Sequence, residues 1–484
     1  MLFNSFEYFL FFPVVFILYW FVFGLSLKLR NLFILAASYF FYGWWDWRFL
    51  SLIFASSVLD YSLGLAIHNS KNKQNRKLLL TLSLFFNLGM LGIFKYYNFF
   101  VESFVDFSTL FGFQVNSSSI NVILPVGISF YTFQTLSYTI DVYRKQLKPT
   151  NDIIAFFTFV SFFPQLVAGP IERAKNLLPQ FYEKTKFDYK NAVDGTRQIL
   201  WGFFKKVVIA DNCAIYVNDI FANYGEYSSP ILIIGAVLFA FQIYGDFSGY
   251  SDIAIGTARL FGFNLMQNFA FPYFSRDIAE FWRRWHISLS TWFRDYLYIP
   301  LGGSRVSKPK AIRNIFAIFV VSGFWHGANF TFIVWGFLNA LYFLPQWIGK
   351  TNRRFLGTVA DGKVLPNFSE LFNILITFGL TCFAWIFFRA ANVTEAILYI
   401  KNVFFYKGDG FVRLSNVSKD EHLIYLLPVL IVIMIIFEWY NRANKFGLQK
   451  LGKYMVIRWS VYLLLVFVII QYFGSEQSFI YFQF

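Results

Sequence analysis

One uncharged stretch is too long and too apolar for an ordinary soluble domain. Residues 314–349 contain no Lys, Arg, Asp or Glu, and they are apolar enough to cross a bilayer and return. A helix that crosses the hydrocarbon core takes about 20 mostly apolar residues, and several other runs in this chain approach that length. Charged residues make up 14% of the chain, whereas soluble domains carry about 25%. The sequence therefore predicts an all-α, multi-pass membrane protein.

The distribution of basic residues predicts how the chain is oriented. There are 42 Lys and Arg against 27 Asp and Glu, and many of the bases gather between apolar runs, at residues 71–77, 144–148, 305–313, 350–354 and 442–453. Short cytoplasmic loops carry such an excess, and anionic lipid headgroups attract it. We therefore expect these segments to be cytoplasmic, the N-terminus to be outside, and membrane lipids rather than nucleic acid to be the partner of the positive charge.

Other general features indicate one membrane domain without structural metal. The N-terminal run contains Glu7 but no basic start or small-residue cleavage site, which favours a retained first helix over a signal peptide. The two cysteines, Cys213 and Cys382, are far apart in apolar runs and support neither a disulfide framework nor a zinc site. We expect a single integral domain over residues 1–484. The number of crossings between residues 156 and 298 stays open, because the mixed, charged segments there are typical of broken or amphipathic helices.

His326 lies inside the uncharged stretch, in the segment SGFWHGANF. An ionisable group in hydrocarbon is costly, so it normally faces the protein interior or a water-filled cavity and has a function. Imidazole titrates near neutrality and is therefore suited to proton transfer. If the helix continues past His326, Ser322 and Asn329 share its face. A satisfied interior histidine is the alternative, but the membrane context favours a functional residue.

A second polar cluster occupies residues 280–300, EFWRRWHISLSTWFRDYLYIP. On a continuous helix, His286, Ser290 and Arg294 share one face, which could hold an anionic or hydroxylic substrate. The alternative is an interfacial helix that places its Trp rings at headgroup depth. The remaining histidines, His68 and His422, lie beside or within polar loops, and we expect them to be surface residues.

Carboxylates also occur in apolar company, at Asp246 and Asp252. We expect them to form structural ion pairs with Arg283, Arg284 or Arg294 rather than to act in catalysis. The chain has no phosphate-binding GxxxxGK[ST] loop, no dinucleotide fingerprint, no HExxH zinc pair and no GxSxG serine elbow. What remains is proton transfer by histidine within a membrane protein.

Together these segments resemble the membrane-bound O-acyltransferase family, in particular its bacterial alginate-acetylating branch. The similar segments follow one another in family order over about residues 124–390, and they read LPVGISFYTFQTLSYTIDVYR, FFPQLVAGPIER, YGDFSGYSDIAIG, FWRRWHISLSTWFRDYLYIPLGG, SGFWHGANFTFIVWG and FAWIFFRA. The resemblance implies about eleven transmembrane helices, with re-entrant and interfacial helices, around a central funnel. It also implies a location in the bacterial cytoplasmic (inner) membrane.

The resemblance also implies a reaction and roles for individual residues. His326 matches the family's essential histidine and is expected to be the general base, and His286 is expected to orient or bind substrate. The expected substrate-binding residues are Asn329, Ser290, Arg294, Asp295 and Trp325. The acyl group, most simply acetyl, would pass from acetyl-CoA or an acyl-carrier thioester, with no bound cofactor. Its destination would be a hydroxyl of an extracytoplasmic polysaccharide, directly or through an extracytoplasmic acetyltransferase partner.

Two other classes of function are consistent with buried histidines. A proton-coupled transporter or flippase for an acyl or glycan intermediate would use them as a proton relay. Such transporters often contain inverted repeats with broken helices in matching positions, and this sequence shows no such symmetry. A scaffold in a polysaccharide-export complex is the third possibility, with the chemistry carried out by a partner.

Overall fold

The computed structural model describes residues 1–24, 26–113, 115, 120, 123–405, 417, 422–473, 477, 479 and 480. Within these residues all regular structure is helical and no β-strand occurs. In the described part of the chain, seven helical stretches are long and apolar enough to cross a membrane, namely Leu27–Asn69, Lys73–Leu110, Ser229–Leu260, Phe330–Ile348, Phe368–Arg389, Leu423–Tyr440 and Met455–Tyr472. Two further apolar helical stretches, Phe6–Val22 and Ile153–Leu166, are shorter. The all-α, multi-pass prediction is confirmed, whereas the count of eleven crossings stays an expectation.

The described residues form two compact units, and the first comprises Met1–Ala192 and Thr257–Met266. Its α-helices are α1 (Phe6–Ile17), α2 (Leu27–Asp46), α3 (Leu50–Asn69), α4 (Lys73–Leu91), α5 (Tyr97–Leu110), α6 (Ile128–Tyr143), α7 (Ile153–Ser161), α8 (Phe163–Leu166) and α9 (Ala174–Leu177). A buried carboxylate, Asp60 of α3, accepts hydrogen bonds from Ser83 of α4 at 2.5 Å and from Thr139 of α6 at 2.8 Å. Such polar contacts hold membrane helices together where hydrophobic burial cannot.

The second unit comprises Val193–Gly256 and Gln267–Phe484. The α-helices that lie wholly or mostly in it are α10 (Tyr189–Phe203), α11 (Asp211–Ala222), α12 (Ser229–Leu260), α13 (Ile278–Arg284), α14 (Ile287–Phe293), α15 (Lys308–His326), α16 (Phe330–Ile348), α17 (Phe368–Arg389), α18 (Val393–Phe405), α19 (Leu423–Tyr440) and α20 (Met455–Tyr472). Both histidines singled out above belong to this unit, so its packing determines the candidate site.

Helices α15 and α16 form a tight antiparallel hairpin. A Cβ atom added to Gly323 would lie 2.2 Å from the Phe332 carbonyl oxygen, and one added to Gly336 would lie 2.4 Å from that of Phe319. The glycines therefore let the two backbones touch, as small residues do in membrane helix pairs. Each helix has 19 residues and is thus about 28 Å long. His326 ends α15, so it lies at the end of the hairpin away from the basic residues 305–313 and 350–354.

The basic segment at residues 442–453 lies at the same end of the second unit as the basic segments 305–313 and 350–354. The Arg442 guanidinium donates hydrogen bonds to the carbonyls of Val359 at 2.9 Å and Ala360 at 3.0 Å. Residues 359 and 360 belong to the connection between α16 and α17, which starts at the basic segment 350–354. The positive-inside prediction requires all three basic segments of this unit to lie at one end.

Two lysines neutralise buried carboxylates in the second unit. Lys206 contacts Asp211 at 2.8 Å and Asp246 at 2.7 Å, and Lys205 contacts Asp252 at 2.7 Å. Both lysines lie in a π-helical segment, Phe204–Ala210, between α10 and α11. The prediction of structural ion pairs is confirmed, but the predicted arginine partners are wrong. The physical reason is that Arg284 and Arg294 are already paired with carboxylates close to them in sequence, while the π-helical turn carries the lysines to α12.

Candidate active site

The segment that contains His286 is two short helices rather than one continuous helix. Helix α13 ends at Arg284, α14 begins at Ile287, and His286 between them has φ 43° and ψ 54°. A residue other than glycine in this left-handed region costs about 1–3 kcal/mol and persists where its surroundings fix it. Here the Ile287 N–H donates to the Asn268 carbonyl at 2.9 Å. The predicted continuous helix is therefore wrong, and His286 does not share a helical face with Ser290.

The interfacial alternative does not describe the middle of residues 280–300. Trp285 is 1% exposed and His286 is 1% exposed, and both are buried inside the protein. Trp285 packs against Phe269 at a centroid distance of 5.1 Å and against Trp385 at 5.1 Å. Trp285 thus forms part of the protein core around the histidine.

Asn268 fixes the orientation and tautomer of the His286 ring. Its Oδ1 accepts hydrogen bonds from the Ser288 N–H at 3.3 Å and the Ser288 hydroxyl at 2.9 Å, and it lies 3.1 Å from His286 Nδ1. A backbone N–H can only donate, so the amide oxygen must face it. Because His286 Nδ1 meets this same oxygen, Nδ1 carries the ring hydrogen. In a neutral imidazole, Nε2 is then a hydrogen-bond acceptor.

The acceptor atom of His286 is left without a hydrogen bond by its protein surroundings. Nε2 is buried and has no hydrogen-bond partner among the residues that the structure describes. His286 lies outside the helices that qualify as membrane spans, and burial lowers its pKa to about 3. The ring is therefore neutral near pH 7. An oriented, neutral imidazole with a bare nitrogen can accept a hydrogen bond from an O–H or N–H group.

His326 lies next to His286. It is the last residue of α15, and Gly327 continues the chain in extended conformation. The two imidazole centroids are 6.4 Å apart, so the two rings are close neighbours in the protein interior. His326 is 3% exposed and packs edge-on against Trp335 and Phe388, each at 5.3 Å. The structure thus brings together two histidines that lie on separate segments of the sequence.

The structure gives two of the other predicted residues definite places near the pair. The Trp325 ring lies 6.1 Å from His286 and 5.0 Å from His326, between centroids. Asn329 does not continue α15, because that helix ends at His326. Instead its Oδ1 accepts from the Thr331 N–H at 3.0 Å, which caps α16, and its Nδ2 donates to the Ala391 carbonyl at 2.7 Å. Asn329 therefore shapes the turn that follows His326.

Ser290 and Arg294 line a cavity at the basic end of the unit. Its volume is about 390 Å³, and its wall includes Ser322, one helical turn before His326. Three arginines lie around it, Arg283, Arg294 and Arg353, and most of the remaining wall is aromatic or aliphatic. The predicted residue Asp295 pairs with Arg294 at 2.7 Å. The cavity therefore combines positive charge with apolar surface.

An aromatic side chain separates this cavity from the two histidines. Neither His286 nor His326 is among the described residues that line the cavity. Trp335 contacts Trp282 of the cavity wall at 5.7 Å and His326 at 5.3 Å, between centroids. Trp335 therefore packs between Trp282 of the cavity wall and His326.

Sequence reasoning missed three features of this unit. Asn268 carries no local signal, because its function depends on a contact with residues 18 and 20 positions later in the chain. The lysine pair could have been found, since Lys205 and Lys206 are adjacent charges within an apolar run, FFKKVVIA. Arg389, at the end of FAWIFFRA, gives a similar signal. In the described parts of the chain, no three His, Cys, Asp or Glu residues are placed to hold a metal ion.

The chain is similar to known membrane acyltransferases. Residues 40–388 match the model of the membrane-bound O-acyltransferase family. The chain is 41% identical over 413 residues to the probable alginate O-acetylase of Pseudomonas aeruginosa, covering 85% of this chain and 75% of the relative. It is 34% identical over 495 residues to the peptidoglycan O-acetyltransferase of Helicobacter pylori, covering 94% of this chain and 91% of the relative.

A more distant relative transfers a different acyl group. The chain is 29% identical over 284 residues to the teichoic acid D-alanyltransferase of Bacillus subtilis, covering 55% of this chain and 69% of the relative. The region matched by the family model contains both buried histidines and the lining of the arginine-rich cavity. Because that region is well over half of its residues, this chain belongs to the membrane-bound O-acyltransferase family.

Proposed function

We propose that this membrane O-acyltransferase moves an acetyl group from a cytoplasmic thioester to a hydroxyl of a polysaccharide outside the bacterial cytoplasmic membrane. Relatives named for O-acetylation of alginate and of peptidoglycan support acetyl as the group and a glycan as the acceptor. The observation that carries the proposal is the pair of buried imidazoles, with centroids 6.4 Å apart. An extracytoplasmic partner that first receives the acetyl group is an alternative route to the same product.

In the proposed reaction the acceptor hydroxyl attacks the carbonyl carbon of the thioester. The C–O bond forms, the C–S bond breaks, and His326 takes the hydroxyl proton and delivers it to the departing thiolate. A positioned base of this kind contributes about 10²–10⁴-fold to the rate. Nε2 of His286 accepts a hydrogen bond from a second O–H or N–H of the substrates. This contact orients them, because the bonds to Asn268 prevent the ring from turning.

The arginine-rich cavity is the proposed binding site for the donor. Acetyl-CoA and acyl carriers share a phosphopantetheine arm, which joins a phosphate to a mostly apolar chain that ends in the thioester. Arg294 and Arg353 could bind the phosphate at the basic end, and the aromatic wall could hold the chain as it extends towards Ser322. The basic residues on this unit's loops are predicted to be cytoplasmic, which is where such donors are made.

The donor site leads to a prediction about Arg353. This residue lines the cavity, and we expect Arg353→Gln to raise the KM for the thioester several-fold with little change in kcat. Such a pattern follows when a contact is equally strong in the ground state and the transition state. Steady-state kinetics with acetyl-CoA and with an acetylated carrier protein would measure it. Lys350→Gln is the matched control, since Lys350 is basic and in the same loop but outside the cavity lining. An unchanged KM with both donors would contradict the assignment.

The link between Asn268 and His286 leads to a prediction about pH dependence. Asn268→Asp keeps an acceptor oxygen for Ser288 and His286 but places a negative charge beside Nδ1. A nearby carboxylate favours the imidazolium, so the pKa of His286 rises from its lowered value. A protonated Nε2 cannot accept a hydrogen bond. As the pH is lowered, we therefore expect the rate of acetyl transfer by the Asn268→Asp enzyme to fall at a higher pH than that of the parent enzyme. Identical pH–rate profiles would contradict this role.

A two-sided transfer assay tests the proposed function. The protein is reconstituted in lipid vesicles, with labelled acetyl thioester sealed inside and a soluble oligosaccharide supplied only outside. The proposal predicts alkali-labile label on the outer saccharide and free thiol inside, in equal amounts. Labelled acetyl groups that remain on the donor would contradict it. Label that appears outside only when an extracytoplasmic acetyltransferase is added would support the partner route instead.

A further inference from the structure

Asn268, which orients the His286 ring, lies in an extended part of the chain. Residues 263–269 form neither helix nor β-strand, so no ladder of backbone hydrogen bonds fixes their positions. Side chains from elsewhere in the protein must hold this segment instead. Because Asn268 Oδ1 meets His286 Nδ1 at 3.1 Å, a displacement of about 1 Å would break the contact.

Glu172 binds this segment at Met266, two residues before Asn268. Its Oε1 accepts a hydrogen bond from the Met266 N–H at 2.5 Å, and both residues belong to the first unit. One residue, Gln267, then joins Met266 to Asn268, which belongs to the second unit. Two residues of extended chain span at most about 7 Å. The position of the Met266 backbone therefore limits where Asn268 can lie.

The Glu172 carboxyl is buried at this contact. Glu172 is 1% exposed, and its Oε2 has no hydrogen-bond partner in the described part of the chain. It lies outside the helices that qualify as membrane spans, and burial raises the pKa of Glu172 to about 7, although the Met266 N–H and Arg173 oppose this shift. Ionised or protonated, the carboxyl keeps an oxygen that can accept from Met266. The contact therefore depends on an acceptor oxygen rather than on charge.

A second side chain of the first unit binds the same segment. Gln180 Oε1 accepts from the Asn264 N–H at 2.8 Å, and Gln180 Nε2 donates to the Asn264 carbonyl at 3.0 Å. Both of these bonds are exposed, whereas the bond from Met266 to Glu172 is partly buried. Water can replace a bond that is lost at an exposed site, but a buried N–H without an acceptor is costly. Loss of Glu172 should therefore displace the segment more than loss of Gln180.

Beyond Asn268, the segment is held within the second unit. The Ala270 N–H donates to the Arg284 carbonyl at 3.0 Å, and Arg284 Nη1 donates to the Ala270 carbonyl at 3.1 Å. Arg284 precedes His286 by two residues, so this anchor belongs to the same turn as the histidine. Glu172 supplies the anchor on the other side of Asn268, and that anchor is separate from the turn.

We infer that Glu172 is a positioning residue for acyl transfer, because it holds Asn268 where that residue orients the His286 ring. The inference rests on the proposed function, which gives His286 the task of orienting the substrates. Glu172 belongs to the segment FFPQLVAGPIER and does not line the arginine-rich cavity. Its loss should therefore leave donor binding intact and impair the alignment of bound substrates. Such a defect lowers kcat rather than raising the KM for the thioester.

The first experiment compares substitutions by steady-state kinetics on folded protein. Glu172→Leu removes the acceptor, and we expect kcat to fall about 10- to 100-fold, since a displacement of about 1 Å can cost about 10²-fold. Glu172→Gln keeps an oxygen for the Met266 N–H, so its kcat should remain close to the parent value. Gln180→Leu is the matched control, because it removes exposed contacts to the same segment and should lower kcat far less. If Glu172→Leu gives too little folded protein, Glu172→Asp, whose side chain is one methylene shorter, takes its place.

The second experiment separates positioning from a general loss of structure. In the otherwise unchanged enzyme, Asn268→Asp is expected to move the fall of the rate to a higher pH, because its charge lies beside His286 Nδ1. In the Glu172→Leu enzyme, residue 268 is no longer held against the ring, so the same substitution should produce a smaller shift. A merely structural role for Glu172 would lower the rate of both proteins and leave the shift unchanged.

Two outcomes would overturn the inference while the proposed function stands. One is a kcat for Glu172→Leu that equals that of the parent enzyme. The other is a shift caused by Asn268→Asp that is the same with and without Glu172, which includes no shift in either protein. The absence of acetyl transfer by the parent enzyme would instead contradict the proposed function, and the positioning role with it.

Discussion

Replacing His326 with glutamine should lower the rate of acetyl transfer by about 10²–10⁴-fold, because the acceptor hydroxyl then loses its base. Glutamine has a similar size and remains polar, so the packing against Trp335 and Phe388 is largely kept. The measurement is the initial rate of ester formation by purified protein, with equal thermal unfolding midpoints required of both proteins. The loss should appear in kcat, since the base acts in the transition state.

The matched control for this variant is His68→Gln. His68 is an exposed residue near the end of α3, and its replacement should leave the rate within twofold. A His326→Gln enzyme that retains more than a tenth of the parent rate would show that another group accepts the proton. His286 would then be the first residue to examine, since its Nε2 is held as an acceptor by Asn268.

Replacing Lys206 with methionine should have the largest effect on stability, about 3–5 kcal/mol, which is the usual cost of breaking a buried ion pair. Lys206 is 2% exposed and neutralises Asp211 and Asp246, each 4% exposed. Without the ammonium group, two carboxylates remain close together in the protein interior. We expect a large drop in the thermal unfolding midpoint in detergent and a low yield of folded protein.

The decisive comparison for this prediction removes the charges together. The triple variant Lys206→Met, Asp211→Asn, Asp246→Asn has no buried unpaired charge, so it should regain most of the lost stability. Arg48→Met is the exposed control, because Arg48 is 60% exposed in its pair with Asp46 and such pairs contribute about 0–1 kcal/mol. Equal unfolding midpoints for Lys206→Met and the parent protein would show that the lysine is not required to neutralise these carboxylates.

The fold class could be predicted from the sequence because it depends on local composition. Long apolar runs require helices in a membrane, since every backbone polar group must be satisfied within the segment. The family resemblance is confirmed, and the matched region begins at residue 40 rather than near residue 124. The expectation of an O-acyltransferase is likewise confirmed, so the transporter and scaffold alternatives are no longer favoured.

The details of the candidate site could not be predicted, because they depend on contacts between distant residues. Helical periodicity placed His286 and Ser290 on one face, but Asn268 holds His286 in a left-handed conformation that no periodicity signals. Likewise, helical periodicity predicted that α15 continues past His326 to Asn329. Instead Gly327 ends this helix and Asn329 caps the next one. Both histidines could be singled out from the sequence, but their proximity could not be predicted from it.

The partners of buried charges were equally hard to predict. The sequence predicts that Asp246 and Asp252 pair with Arg283, Arg284 or Arg294. The π-helical segment Phe204–Ala210 instead brings Lys205 and Lys206 to these carboxylates. The spacing of residues does not signal such a local change of helical type.

The most direct test of the central claim, that this chain carries out acyl transfer rather than moving a substrate, is a measurement in cells. The native gene is replaced by the His326→Gln form, normal membrane insertion is verified, and ester content and the amount of exported polysaccharide are measured together. We predict that the acetyl ester disappears while export continues at the parent level. Loss of export, or ester content equal to that of the parent strain, would contradict the proposed function.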